Sequence, residues 1–280
     1  MYDGKDELLI IQEDVKRVLK RPGARWAMLI DLRRCVLCHS CTVACINEQK
    51  SPPGIAYRPV YEEELGTYPK VKRRFTPRPC QQCDNPSCVA ACPNAGENGA
   101  TWKSAQGDSA GIVMINYEQC IGCGRCVVAC PYKVRALDKG AFYTENTPKI
   151  EDYEKAPTFE YSRKWPREAS HLPVGVARKC HFCLHRLRKG MIPICVSTCI
   201  GRVNYFGDPT DPESLIYKVM RENRISVLVR TRTPGETKPT FAQLEGMEPE
   251  EISAKIGYPG KTPVFGESAT TQPRVYYILP

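Results

Sequence analysis

The chain has 280 residues, 42% of them hydrophobic with its 16 cysteines counted, 24 prolines, 20 glycines and a formal net charge of +9. Without the cysteines the apolar share falls to about 36%, below the roughly 45–50% usual for a compact domain. Something besides apolar side chains must then help to build the centre, and bound inorganic groups can do so.

No apolar run approaches the roughly 18 residues that a membrane crossing needs. The start, Met1-Tyr2-Asp3-Gly4-Lys5-Asp6-Glu7, has neither a basic n-region nor a twin-arginine pair. These readings predict no signal and no transmembrane segment of its own, with membrane association only through partners.

Taken in chain order, Leu8, Ile11, Val15, Val18 and Leu19 recur at helical spacing until Pro22-Gly23 ends the pattern. This predicts an amphipathic helix within residues 1–25. Trp26-Ala27-Met28-Leu29-Ile30 reads as a strand leading into the first cysteine group, Cys35, Cys38, Cys41 and Cys45. Group two is Cys80, Cys83, Cys88 and Cys92. A second strand, Ile112 to Ile115, precedes group three, Cys120, Cys123, Cys126 and Cys130, and repeats the order of strand and then cysteine loop. A polar insertion without periodicity, residues 139–174, separates it from group four, Cys180, Cys183, Cys195 and Cys199. Asp211-Pro212-Glu213 opens a predicted helix through Arg224, and Ser226 to Val229 is β-rich. The stretch from about Arg232 to Thr271, rich in Pro, Gly and Glu, is expected to wrap a surface before an extended Val275–Leu279.

Groups one and three both read C-x2-C-x2-C-x3-C, with Pro131 after Cys130. Two-residue gaps let one loop supply three thiolates to a cubane, while the fourth cysteine has entered a helix and points to a second cluster. Such a motif works in pairs, so four groups without a spare cysteine predict four [4Fe–4S] clusters. Competing readings fit less well. Structural zinc prefers two separated C-x2-C hairpins around one tetrahedron. Disulfides need an oxidising compartment, and cysteines this clustered make awkward partners. Group two has a longer gap after Cys83 and group four one from Cys183 to Cys195, which tunes a potential without removing a ligand.

At these residues the chain resembles the four-cluster iron–sulfur subunits of molybdopterin oxidoreductases, of the dimethyl sulfoxide, polysulfide, tetrathionate and arsenate reductase type. The likeness rests on Asp31-Leu32-Arg33-Arg34-Cys35, Ala44-Cys45 with Asn47-Glu48, and Pro79-Cys80-Gln81-Gln82-Cys83-Asp84-Asn85-Pro86-Ser87-Cys88. It continues through Gln119-Cys120-Ile121-Gly122-Cys123, Ala129-Cys130-Pro131-Tyr132, Lys179-Cys180-His181-Phe182-Cys183, Phe206-Gly207-Asp208 and Pro273-Arg274-Val275-Tyr276-Tyr277.

The resemblance implies an α+β fold of two bacterial-type 2x[4Fe–4S] ferredoxin-like units with loop insertions and a wrapping C-terminal extension. Unit one would span residues 26–75 and 175–230, unit two 76–138, with the extension at 231–280. It also implies the ligand sets. Cys35, Cys38, Cys41 and Cys199 would hold cluster 1, and Cys80, Cys83, Cys88 and Cys130 cluster 2. Cys120, Cys123, Cys126 and Cys92 would hold cluster 3, and Cys180, Cys183, Cys195 and Cys45 cluster 4.

The chain departs from the family in three places. Ile200 follows Cys199 where Pro is usual, Asn94 stands in place of a Thr-Gly-Ala stretch, and Leu37 stands where Gly is common.

By the same resemblance the function is electron transfer without catalysis. The partners would be a molybdopterin-containing catalytic subunit and a membrane anchor or quinone-reactive subunit, or a soluble carrier. Compartment stays open between the cytoplasm and a periplasmic place reached by co-export with a catalytic partner. A nickel–iron hydrogenase partner is the alternative within the redox class, and a zinc-binding scaffold the one outside it. A catalytic cluster with an open iron would need a set of three cysteines, and sixteen leave none. Four oxidised clusters with their thiolates contribute about −8. The positive excess is therefore read as compensation for cluster charge, with no nucleic acid as partner. His181 and His185 are expected as surface or neighbouring groups rather than ligands, and Trp102 and Tyr132 as packing. Arg34, Arg125 and Lys179 are either charge-stabilising or solvated.

Overall fold

The computed structural model describes residues 4–168, 171–232 and 262–280. Helix α1 (Glu7–Val18) starts where Asp6 accepts the N–H of Leu8 at 2.8 Å, the usual N-terminal cap. Its buried side is the expected stripe of Ile11, Val15 and Val18, plus one polar residue, Asp14. That carboxylate takes Arg17 at 2.6 Å and the N–H of Leu215 at 2.7 Å, so it ties the helix to a distant segment.

Strand β1 (Ala27–Asp31) is buried at every residue, which explains its unbroken apolar run in place of an alternating one. Asp31 ends it by accepting the N–H and guanidinium of Arg33, closing the turn that delivers Cys35. Helix α2 (Ser40–Gln49) carries Cys41 and Cys45. An antiparallel hairpin of β2 (Val60–Thr67) and β3 (Lys70–Pro77), not foreseen from sequence, leads to group two. Its tip bears the exposed Tyr68.

The middle of the chain uses short elements. Helix α3 (Ser87–Ala90) sits in group two and packs against α4 (Arg125–Ala129) of group three. Between them β4 (Thr101–Lys103) pairs with β5 (Val113–Ile115), the predicted second strand. The insertion is closed by a two-residue ladder between β6 (Ala136–Leu137) and β7 (Ala177–Arg178). Among the described residues it holds only short turns, α5 (Asp152–Lys155) and a 3-10 turn at Glu160–Ser162, yet Thr158, Glu160, Tyr161, Trp165 and Arg167 are all buried. Its missing periodicity reflects single side chains driven inward from an irregular backbone, and not a surface apron.

Helix α6 (Leu184–Leu187) and α7 (Ile194–Ser197) carry group four, and α7 packs against α2. Then come β8 (Asn204–Gly207) and α8 (Leu215–Glu222). Ser214 caps α8, three residues beyond the predicted opening at Asp211, because Asp211 is spent in a turn whose carbonyl accepts the N–H of Ser214. Strands β9 (Ser226–Arg232), β10 (Thr262–Gly266) and β11 (Val275–Ile278) complete a five-stranded sheet ordered β10-β9-β11-β1-β8. In it β1 pairs in parallel with β11, Met28 beside Val275, and antiparallel with β8. The expected wrapping tail falls mostly in residues 233–261, outside the described residues.

Candidate metal centres

The four cysteine loops share one backbone device. In each, the residue before the second cysteine is left-handed: Leu37 (φ 58°), Gln82 (φ 47°), Gly122 (φ 70°) and Phe182 (φ 55°). Non-glycine residues accept this conformation at about 1–2 kcal/mol each. A left-handed residue in such a loop gathers successive N–H groups into a concavity that suits an anion. Three strained residues at one repeated position mark a shared task. The sequence flagged only Leu37, as a missing glycine.

The thiols are brought together across the sequence. One surface recess is lined by Cys35, Cys38, Cys41 and Cys199. Cys45 does not face it. Burial, and then repulsion from Cys183, Cys180 and Cys195, hold the Cys45 thiol well above its ordinary value. In the other half Cys83 is pushed up by burial and by Cys80, Cys130 and Cys88. Cys126 is likewise raised by burial, with Cys88 and Cys120 as its neighbouring thiols and Arg135 opposing. Cys92 follows α3, which packs on the Cys126-bearing α4, and Cys123 stands in the loop before α4. Among the described residues no three His, Cys, Asp or Glu side chains converge as a single-ion site.

Burial pushes Cys130 and Cys180 up to about 12, with Cys88 and Cys195 as their strongest thiol neighbours. Exposed Cys38 differs, since Ser40 holds it below its ordinary value. Thiols this buried and mutually repelling stay protonated unless a metal takes up their charge, and soft thiolates in fours suit iron–sulfur groups. The cations agree. Arg58, Arg135 and Lys179 are buried and form no ion pair with a carboxylate among the described residues, as suits an anionic group nearby.

A buried polar network joins the loops. Glu160, from the insertion, accepts the hydroxyls of Tyr57 at 2.5 Å and Tyr117 at 2.6 Å. Arg178 bridges it to Asp138, at 3.1 and 2.6 Å. Gln49 donates to the Cys183 sulfur at 3.4 Å and lies 3.1 Å from His181 Nε2. His181 is therefore buried, not on the surface, and its Nδ1 accepts the N–H of Leu184 at 3.0 Å. Burial, and then His185, keep it well below its ordinary value, hence neutral. His185 pairs with Glu48 at 2.8 Å. Of the cations weighed from sequence, Lys179 is buried, Arg125 is exposed and Arg34 pairs with Glu7 at 3.0 Å. Tyr132 is buried with its hydroxyl on Thr271, and Trp102 packs half-buried against the core.

Comparison with known proteins follows this geometry. A family model described as a 4Fe–4S dicluster domain matches residues 71–146 and 165–209. The chain is 53% identical over 223 residues to a selenate reductase subunit of Mesobacillus selenatarsenatis, covering 79% of this chain and 74% of that one. It is 34% identical to a tetrathionate reductase subunit of Salmonella typhimurium, over 79% and 72% of the two chains. It is 30% identical to the arsenate respiratory reductase iron–sulfur subunit of a Shewanella species, over 77% and 91%.

Proposed function

This chain belongs to the iron–sulfur subunit family of the molybdopterin reductases, and on that premise we propose that it relays electrons through four [4Fe–4S] clusters. It is an electron-transfer subunit and not the catalytic one, so neither the hydrogenase nor the zinc-scaffold reading is needed. The ligand sets are those given above, each with three cysteines of one group and the last of its partner group. The observation that carries this is the recess holding Cys199 with Cys35, Cys38 and Cys41, while Cys45 keeps company with group four. The domain division follows from the same crossings, groups one and four in unit one and groups two and three in unit two.

Bound clusters would each take up and release one electron. The chain's own residues do the rest. The left-handed loops turn N–H groups toward the charge, Gln49 donates to Cys183, and burial keeps water from most of the thiolates. The sets also have an order. Cys195 neighbours Cys41, and Cys180 neighbours Cys80. That supports a row in which cluster 1 adjoins cluster 4, then cluster 2 and then cluster 3.

No helix among the described residues is long and apolar enough to cross a membrane. We assign the chain a molybdopterin-containing catalytic partner that reduces an oxyanion, selenate before tetrathionate or arsenate, because the selenate relative shares most identity of the three. A quinone-linked membrane subunit would supply the electrons, and the place would be cytoplasmic or, by co-export, periplasmic. Anaerobic purification with iron and sulfide analysis tests the core of this reading: roughly sixteen of each per chain is expected. Stoichiometric zinc without sulfide would refute it. Assaying the co-purified complex with selenate, tetrathionate and arsenate tests the substrate.

A further inference from the structure

Several buried cations of this chain face a carboxylate or a ring: Arg178 and Arg167 face Asp138, Arg274 faces Asp84, and Arg78 lies 4.0 Å over the ring of Tyr61, though Arg78 too keeps guanidinium nitrogens without an acceptor. Arg58 and Arg135 do not fit that pattern. They are 1% and 3% exposed. Arg58 reaches the Met28 sulfur at 3.0 Å and the Asn204 side chain, and Arg135 reaches the Thr101 hydroxyl at 3.0 Å. Neither meets a carboxylate among the described residues, and the Nε of each is buried without an acceptor. A buried guanidinium left this way costs several kcal/mol unless an anion stands nearby.

The surroundings identify that anion. Arg58 lies beside Cys41 and Cys195, and Arg135 beside Cys126 and Cys88. These are the third cysteines of groups one and four, and of groups three and two. Each arginine thus occupies the same place in its pair, between the two cluster sites. They arrive there from different segments, Arg58 from the loop between α2 and β2 and Arg135 from the turn between α4 and β6. Each follows the helix of its own C-x2-C-x2-C-x3-C group, and the recurrence of one charge at equivalent points of both pairs argues for the charge itself.

We propose that Arg58 and Arg135 are fixed cations set between the two clusters of each pair, raising the electron affinity of both neighbours and weakening their repulsion when both are reduced. This rests on the four-cluster reading. A guanidinium stays charged at any working pH, so the effect is permanent and not switched. Both stand beside cysteine thiols and take no part in electron exchange. Lys179, buried beside Cys80 and Cys180, stands between the two pairs instead, and as the neighbour of Cys180 it gives no clean variant.

The test uses the chain purified anaerobically with its native partners, with cluster potentials followed by electron paramagnetic resonance. Arg58→Met should lower the electron affinity of clusters 1 and 4 at least tenfold, about 59 mV for one electron, and leave clusters 2 and 3 unmoved. Arg135→Met should do the reverse, and Arg58→Lys and Arg135→Lys should keep wild-type values. Iron and sulfide are counted alongside. Should a methionine variant shed its pair of clusters, the lysine variant is expected to retain them. Unmoved potentials at full iron content, an equal fall in all four clusters, or lysine variants as defective as methionine ones would each overturn the proposal. Wild-type protein without about sixteen irons would instead overturn the four-cluster reading itself.

Discussion

Replacing Arg178 by methionine is expected to be among the most destabilising single changes outside the cysteines. The guanidinium stands 2.6 Å from Asp138 and 3.1 Å from Glu160, and all three side chains are 0% exposed. It also donates to Tyr57 at 2.8 Å and to the Gln49 carbonyl at 2.9 Å. Asp138 would keep Arg167 at 3.1 Å, and Glu160 its two tyrosine hydroxyls with the neutral His181 4.0 Å away. Leaving a buried carboxylate without its cation costs about 3–5 kcal/mol. For a chain of this size that corresponds to a fall in Tm of roughly 6–20 °C. The assay is anaerobic thermal unfolding of the holoprotein at one fixed heating rate, since such unfolding is kinetic. Adding Glu160→Gln removes the stranded charge and should recover part of the loss. A single variant that melts within a degree or two of wild type would refute the reasoning, as would a double variant worse than the single one.

Three further outcomes follow from the same structure. If Cys45 serves the cluster of group four, Cys45→Ser and Cys183→Ser should be non-additive in iron content, whereas Cys45→Ser and Cys38→Ser should add; the reverse pattern would undo the assignment. At Leu37 (φ 58°), Gly relieves about 1 kcal/mol of strain but frees the unfolded chain by a similar amount. Leu37→Gly should therefore leave Tm nearly unchanged, while Leu37→Ile should lower it clearly. Finally, burial pulls Lys103 down to about 8, with Asp84 opposing at 2.9 Å and Arg274 and Arg25 adding to the fall. Between that value and about 10.4 the unfolded chain holds a proton that the folded one has lost, so stability rises with pH there. The Tm difference between wild type and Lys103→Met should move in favour of wild type from pH 8 to 9.5; a flat or opposite trend would count against the burial of this ammonium.

Much of this was legible in the sequence because the signals are local. Helix α1, strands β1 and β5, and all sixteen cysteines follow from spacing within a few residues. The hairpin of β2 and β3 escaped because its strands are largely exposed and charged, Glu63 and Glu64 facing Arg74 and Arg73, with no alternating apolar face to see. The inward residues of the insertion escaped because Glu160, Trp165 and Arg167 are isolated in irregular backbone. Buried cations leave no local signal either. Arg58 and Arg135 look like any surface arginine in a chain with 40 lysines and arginines, and only their surroundings in space set them apart. For His181 the sequence left a surface place and a place beside the cluster loop both open, and only Gln49 and Leu184 enclosing it decide for the second.

The parallel pairing of β1 with β11 has a consequence in time. Met28 waits for Val275, 247 positions later in the numbering of the register. At about 5–20 residues per second a ribosome takes roughly 12–50 s to supply that neighbour. Until β8 is made this mostly apolar strand has both edges open, and from then until β11 it has one, the kind of template that other chains pair with. The first cysteine group begins four residues beyond the end of β1, at Cys35. A nascent chain could thus offer iron its first cysteines well before the sheet beneath them exists. Pulse-labelled chains halted before residue 275 are expected to be held by chaperones and poor in iron, and chains released beyond it to acquire both the sheet and the metal.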